Sequence, residues 1–151
     1  DVRAKLAELG LELPVAAKPV AAYVPAIRTG NLVFTAGQLP LAGGEMAGVG
    51  KVDGEITPER AKELAQICAL NCLAAVETVA DVNKITKIVR VVGYVNGVAG
   101  FIGHPGVVNG ASELFIAIWG DGAKHARSAV GIAELPLNSP VEIELTVEIT
   151  D

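Results

Sequence analysis

A chain of 151 residues is one domain's worth and can bury a sizeable core. Hydrophobic residues make up 51% of it but aromatics only 4%, so the core must be packed from small and branched side chains. A formal net charge of -5 leaves no basic stripe for nucleic acid. No apolar run approaches the length of a membrane span, and DVRAKLAELG lacks a signal-peptide core. The expectation is a soluble cytoplasmic protein with neither nucleic acid nor membrane as partner.

Asp1 to Leu9 has helical spacing, and Gly10 is a natural stop. The next ten residues, with Pro14 and Pro19, read as an extended connector. Ala21 to Arg28 predicts a strand, Thr29-Gly30-Asn31 a turn and Leu32 to Ala36 a returning strand, with Pro25 suggesting an edge or bulge. Gly37-Gln38-Leu39-Pro40 breaks that strand. Residues 41–55 are rich in glycine, a candidate mobile loop with a short strand near Gly48 to Val52. They lack the lysine pattern of a phosphate cradle.

Thr57-Pro58-Glu59 opens a helix with a hydroxyl cap, an early proline and an acid at the positive end of the dipole. Its apolar residues to about Ala80 form one stripe and a second flank, which places it between two neighbours. Cys68 and Cys72 lie one turn apart on it. With no further cysteine and no suitably spaced histidine they read as buried free thiols, neither a disulfide framework nor a metal site. Ile85 to Val95 is a long β-branched run, and Lys84, Lys87 and Arg90 read as its solvated basic end. His104-Pro105-Gly106 opens a second helix that runs to Trp119 and ends at Gly120.

The last segment carries the chemistry. Val141 to Ile149 alternates apolar and polar residues, a strand with one face of each kind. Ala126 to Ile132 alternates likewise, with Arg127, Ala129 and Gly131 on one face. Small neighbours leave space before the Arg127 guanidinium. If these two strands pair, Arg127 and Glu142 come together at the mouth of a small cavity, where a planar carboxylate suits the arginine fork. The same pattern also fits a plain cross-strand salt bridge between Arg127 and one of the glutamates. The whole order, β-β-(β)-α-β-α-β-β, implies α+β with two helices packed on one face of a mixed sheet.

Arg127-Ser128, Val130, Ile132 and Leu135-Pro136, followed by Val141-Glu142-Ile143-Glu144, resemble the C-terminal signature of the reactive-intermediate deaminases (the YjgF or RidA family). Gly30-Asn31 and Thr35-Ala36-Gly37-Gln38-Leu39-Pro40 match a second family segment, in the right order and at the right separation. The resemblance covers residues 21–151 and leaves 1–20 as an added helix and connector, as in the longer-chain subgroup. It implies a chorismate-mutase-like fold, assembled as a homotrimer whose sheets form a central barrel, with sites between subunits. It also implies cofactor-free hydrolysis of 2-imino acids and their enamine tautomers to 2-keto acids and ammonia. Arg127 would then anchor the carboxylate and Glu142 position water. Tyr23 and Asn109 would line the pocket, with Gly37 and Ala129 offering backbone groups. Ala36 stands where many members have serine, and Ala129 where many have cysteine. The alternative on the same residues is a non-catalytic trimeric protein that binds a small carboxylate. A ribonuclease or translation inhibitor ranks last, given the acidic charge and the absence of a catalytic histidine pair.

Overall fold

The computed structural model describes every residue except 17 and 20. Helix α1 (Val2–Glu8) is capped by the Asp1 carboxylate, which accepts from the Ala4 amide at 2.9 Å. Gly10 ends it with φ of +73°, a backbone that glycine alone adopts freely. Val2 and Leu6 of α1 are buried within the same apolar core as the rest of the chain.

Strands β1 (Ala26–Thr29) and β2 (Leu32–Thr35) form the expected hairpin around Gly30. The first strand is shorter than Ala21 to Arg28, because Pro25 has no amide to give a ladder. The glycine-rich segment holds a small hairpin, β3 (Leu41–Ala42) with β4 (Glu45–Met46), turned by Gly43 and Gly44 at positive φ. The strand expected near Gly48 to Val52 reduces to single bridges from Val52 to Ile56 and Gly97.

Helix α2 (Pro58–Glu77) starts where its cap dictates: Thr57 Oγ1 accepts from the Arg60 amide at 3.1 Å. Strand β5 (Ile85–Val95) and helix α3 (His104–Trp119) have the bounds read from the sequence. Strands β6 (Ala126–Gly131) and β7 (Val141–Ile149) complete the main sheet, ordered β1-β2-β7-β5-β6. The β5–β6 pair is parallel and the other ladders are antiparallel.

Helices α2 and α3 lie side by side on one face of this sheet. The Sγ atoms of Cys68 and Cys72 reach the Val141 and Ile143 carbonyls of β7 at 3.7 and 3.3 Å, so α2 lies over β7. Burial raises both thiol pKa values well above the ordinary thiol range, which keeps them neutral. Gly110 lets α3 approach α2 closely, since a Cβ there would collide with the Lys62 carbonyl. Among the described residues, no helix is long and apolar enough to cross a membrane.

One expectation is corrected by this topology. Strands β6 and β7 do not pair, because β5 lies between them: Arg127 faces Val91 in register and Val91 faces Leu145. Glu142 instead faces Tyr94 on β5, and Tyr94 faces Val130 on β6. The α3 crossover returns β6 parallel to β5 along one of its edges while β7 pairs with the other, so the two strands do not meet.

Candidate functional site

The sheet has a covered face and an open face, and the site residues are divided between them. Val91, Gly93 and Val95 are buried under the helices, so Arg127, Ala129 and Gly131, their register partners, share that face. Arg127 Nη1 donates to Asn109 Oδ1 at 2.7 Å and to Ser112 Oγ at 3.2 Å, both on α3. Its Nη2 donates to the Pro105 carbonyl at 3.5 Å. All three acceptors are uncharged, and none of the ion pairs among the described residues includes Arg127. The cross-strand salt bridge to a glutamate is therefore not formed. The small neighbours of Arg127 also differ from the open space expected: Gly131 accommodates the His104 ring at the start of α3.

Glu142 sits on the other face. Gln38 exchanges two backbone hydrogen bonds with Ile143, at 2.7 and 3.1 Å, which presses Gly37 against the Glu142 carboxylate. The Asn71 amide on α2 donates to the Leu39 and Leu41 carbonyls, both at 3.0 Å, and fixes the segment that follows. A cavity of about 520 Å³ opens here, lined by Tyr23, Ala36, Gly37, Gln38, Leu137 and Glu142 among others. Partial burial, reinforced by the nearby charge of Glu144, raises the Glu142 pKa above its ordinary 4.5. Glu144 itself accepts a hydrogen bond from the Tyr94 hydroxyl, which pushes the Tyr94 pKa up to about 12.

Within one chain, then, the six residues form two clusters. Tyr23, Gly37 and Glu142 share the open cavity, while Arg127, Asn109 and Ala129 share the edge between β6 and α3. Two strand spacings, roughly 10 Å, and the thickness of the sheet separate the charged groups. Among the described residues, no group of three or more His, Cys, Asp or Glu side chains comes together as a metal site.

This arrangement of sheet and helices has relatives. The family described as "YjgF/chorismate mutase-like, putative endoribonuclease" matches residues 3–149. The chain belongs to the YjgF/chorismate mutase-like family. It is 33% identical over 154 residues to Protein TCP17 of Trypanosoma cruzi, covering 99% of this chain and 95% of that one. Among solved structures it resembles Atu1372 of Agrobacterium tumefaciens, a protein of unknown function, with 40% identity and a TM-score of 0.92. That match covers 99% of this chain and 92% of the other. A Shewanella oneidensis protein named a putative endoribonuclease is 28% identical with a TM-score of 0.92, each chain covered to 97%.

Against the YjgF pattern, the two alanines are both part of the site region. Ala36 lines the cavity, and its carbonyl accepts from the Gln38 amide side chain at 3.1 Å. Ala129 lies opposite Gly93, a position so tight that a Cβ on the glycine would meet Val108. Sequence reading missed Ser112 and His125, which stand behind Arg127, and Gln38 and Leu137, which line the Glu142 cavity. Ser112 follows Asn109 by three residues on one helix and so had to share its face, which was the available signal. His125 and Leu137 carried none.

Proposed function

We propose that the protein hydrolyses reactive 2-imino and enamine acids to 2-keto acids and ammonia, at sites completed between copies of the chain. The observation that carries this reading is an arginine held only by neutral acceptors, its charge left uncompensated for an anion. Arg127 of one copy forks onto the substrate carboxylate, and Glu142 of the next faces the imine carbon across the shared cleft. Burial and Glu144 make Glu142 a stronger base than an ordinary glutamate. It takes a proton from water as the oxygen attacks the imine carbon, then delivers a proton to nitrogen. In the tetrahedral carbinolamine Glu142 then carries the hydroxyl proton to the amine nitrogen, and the C–N bond breaks as the C=O bond forms, releasing the 2-keto acid and ammonia. Holding an already reactive imine and one water in register supplies much of the acceleration. Tyr23 and Gly37 close the Glu142 side, and Asn109 and Ala129 close the arginine side.

Pairing across copies is supported by the open face itself. Ile27 and Val130 are 59% and 42% exposed there, alongside half-buried Phe34 and Val92. An uncovered sheet face of this kind fits subunit contact, and a head-to-tail contact between copies closes into a ring. A trimer with a central barrel is the assembly we propose.

Ammonia release from freshly generated 2-iminopropionate and bulkier imines tests the reading, with wild type measured beside Arg127→Ala. Acceleration by wild type and not by a folded Arg127→Ala variant is expected. A folded oligomer that accelerates no imine overturns the deaminase and leaves a carboxylate-binding protein.

A further inference from the structure

Ser112 and His125 play no part in the reaction just proposed, yet they stand directly behind its anchor. His125 Nδ1 lies 2.8 Å from the Ala123 carbonyl oxygen, which can only accept. Nδ1 therefore carries the proton of the neutral ring, and Nε2 is left as an acceptor. Nε2 lies 2.8 Å from Ser112 Oγ, so the serine hydroxyl donates to it. The serine oxygen then faces Arg127 with its lone pairs and accepts from Nη1 at 3.2 Å. The hydrogen bonds run in one direction, from guanidinium to hydroxyl to imidazole to backbone carbonyl. Ser112 is buried, and the edge of the His125 ring packs against Phe115 at 6.2 Å between centroids, which holds the chain in place.

A guanidinium has five N–H donors in a fixed plane. Nη1 gives both of its protons, to Asn109 and Ser112, and Nη2 gives one to Pro105. Nε–H has no acceptor among the described residues, and it runs parallel to the Nη2–H on its own side, so these two form one edge. We infer that Ser112 and His125 are positioning residues that lock Arg127 so that it offers this Nε/Nη2 edge, side-on, to a carboxylate. The inference rests on the reading of Arg127 as the anchor. Ser112 acts through the arginine and not as a nucleophile, because its oxygen is already enclosed between the guanidinium and the imidazole. Without the hydroxyl, one Nη1 proton loses its acceptor, and the planar group is free to swing toward an end-on pose.

The test is pyruvate binding, followed by NMR titration of wild type, Ser112→Ala and His125→Gln, together with the nitrogen spectrum of His125 in the wild-type protein. Ser112→Ala is expected to weaken pyruvate roughly tenfold, the loss of about one hydrogen bond to a charged group. His125→Gln should weaken it less. With 2-iminopropionate the loss should appear in KM more than in kcat, since the anchor serves ground and transition states alike. His125 should show the proton on Nδ1. Pyruvate affinity unchanged in Ser112→Ala, or a proton found on Nε2, overturns the inference even if imines are hydrolysed. Pyruvate binding that weakens as expected, with no imine hydrolysed, removes the deaminase and leaves this inference standing. Wild type failing to bind pyruvate removes the anchor and the inference together. If Ser112→Ala does not fold, the wild-type tautomer decides.

Discussion

Arg127 and Glu142 occupy opposite faces of one sheet, and their surroundings differ in kind. Behind Arg127 lies α3, which supplies neutral acceptors and fixes the guanidinium without neutralising it. Glu142 has no helix over it. It has a cavity, the bare backbone of Gly37 and a second carboxylate, Glu144, on the same strand. An arginine kept cationic and motionless is a good anchor, whereas a carboxylate kept partly dry beside its like is a good base. The helix-covered side of the fold is thus suited to holding, and the open side to moving protons. On the proposed reading neither suffices alone, so the chemistry requires a second copy.

The largest expected effect breaks that division deliberately. Arg127→Ala and Glu142→Gln should each lower imine hydrolysis by roughly 10²–10⁴-fold, the range for losing a positioned anchor or proton-transfer group. If the site joins two copies, unfolding the two variants together and refolding them as a mixture restores activity. In a cyclic assembly about a quarter of the interfaces then combine an intact Arg127 with an intact Glu142. A mixture as inactive as its components would place both roles in one chain, or in none.

Two glycines sharpen the contrast without touching either charge. A Cβ on Gly110 would strike the Lys62 carbonyl, and a backbone atom between two packed helices has nowhere to move. Gly110→Ala should therefore cost roughly 3 kcal/mol of stability, read from denaturant midpoints. A Cβ on Gly37 would strike the Glu142 carboxylate, the far end of a flexible side chain facing a cavity. Gly37→Ala should leave the midpoint within about 1 kcal/mol, because the side chain can swing aside. Displacing the base by about 1 Å should still lower hydrolysis by tenfold or more. Equal stability losses in the two variants would mean that the open face is as rigid as the covered one.

These differences explain what could be read in the sequence. The helix α2 start at Thr57-Pro58, the span of β5 and the end of α3 follow from local rules: a cap, a long β-branched run, a stop at Gly120. The alternation of Val141 to Ile149 correctly put Glu142 and Glu144 on the polar face. What alternation cannot give is the strand order: it makes Arg127 and Glu142 neighbours only if β6 and β7 pair, whereas β5 divides them. Sequence period assigns a face within each strand but not which faces agree between strands that do not touch. The split between faces, and the Ser112–His125 support behind the arginine, arise from the β5-α3-β6 crossover and became visible only with it.

The pH profile of hydrolysis addresses the open side alone. The base must be ionised, so the rate falls as pH drops through the Glu142 pKa. Burial and Glu144 raise that pKa above 4.5, so the acid limb should begin at a higher pH than for an ordinary glutamate. Removing the neighbouring charge with Glu144→Gln should move the limb toward lower pH. A limb that stays in place would assign the titration to another group.

The smallest expected effect comes from Tyr94, which spans β5 to β7 on the open face and donates to Glu144. Tyr94→Phe removes that donor and should reduce stability by about 1 kcal/mol, the net value of one such bond near the surface. Its pH dependence has a definite sign. The folded-state pKa of Tyr94 is raised, to about 12, because only the protonated phenol can donate to the carboxylate. The contribution is therefore fully present below the ordinary phenol value of roughly 10 and is lost as pH rises through the folded value. Denaturation midpoints of wild type and Tyr94→Phe should differ at pH 8 and converge toward pH 12. A constant difference across that range would mean that the hydroxyl matters through packing on the sheet face, and that Glu144 is held by something other than Tyr94.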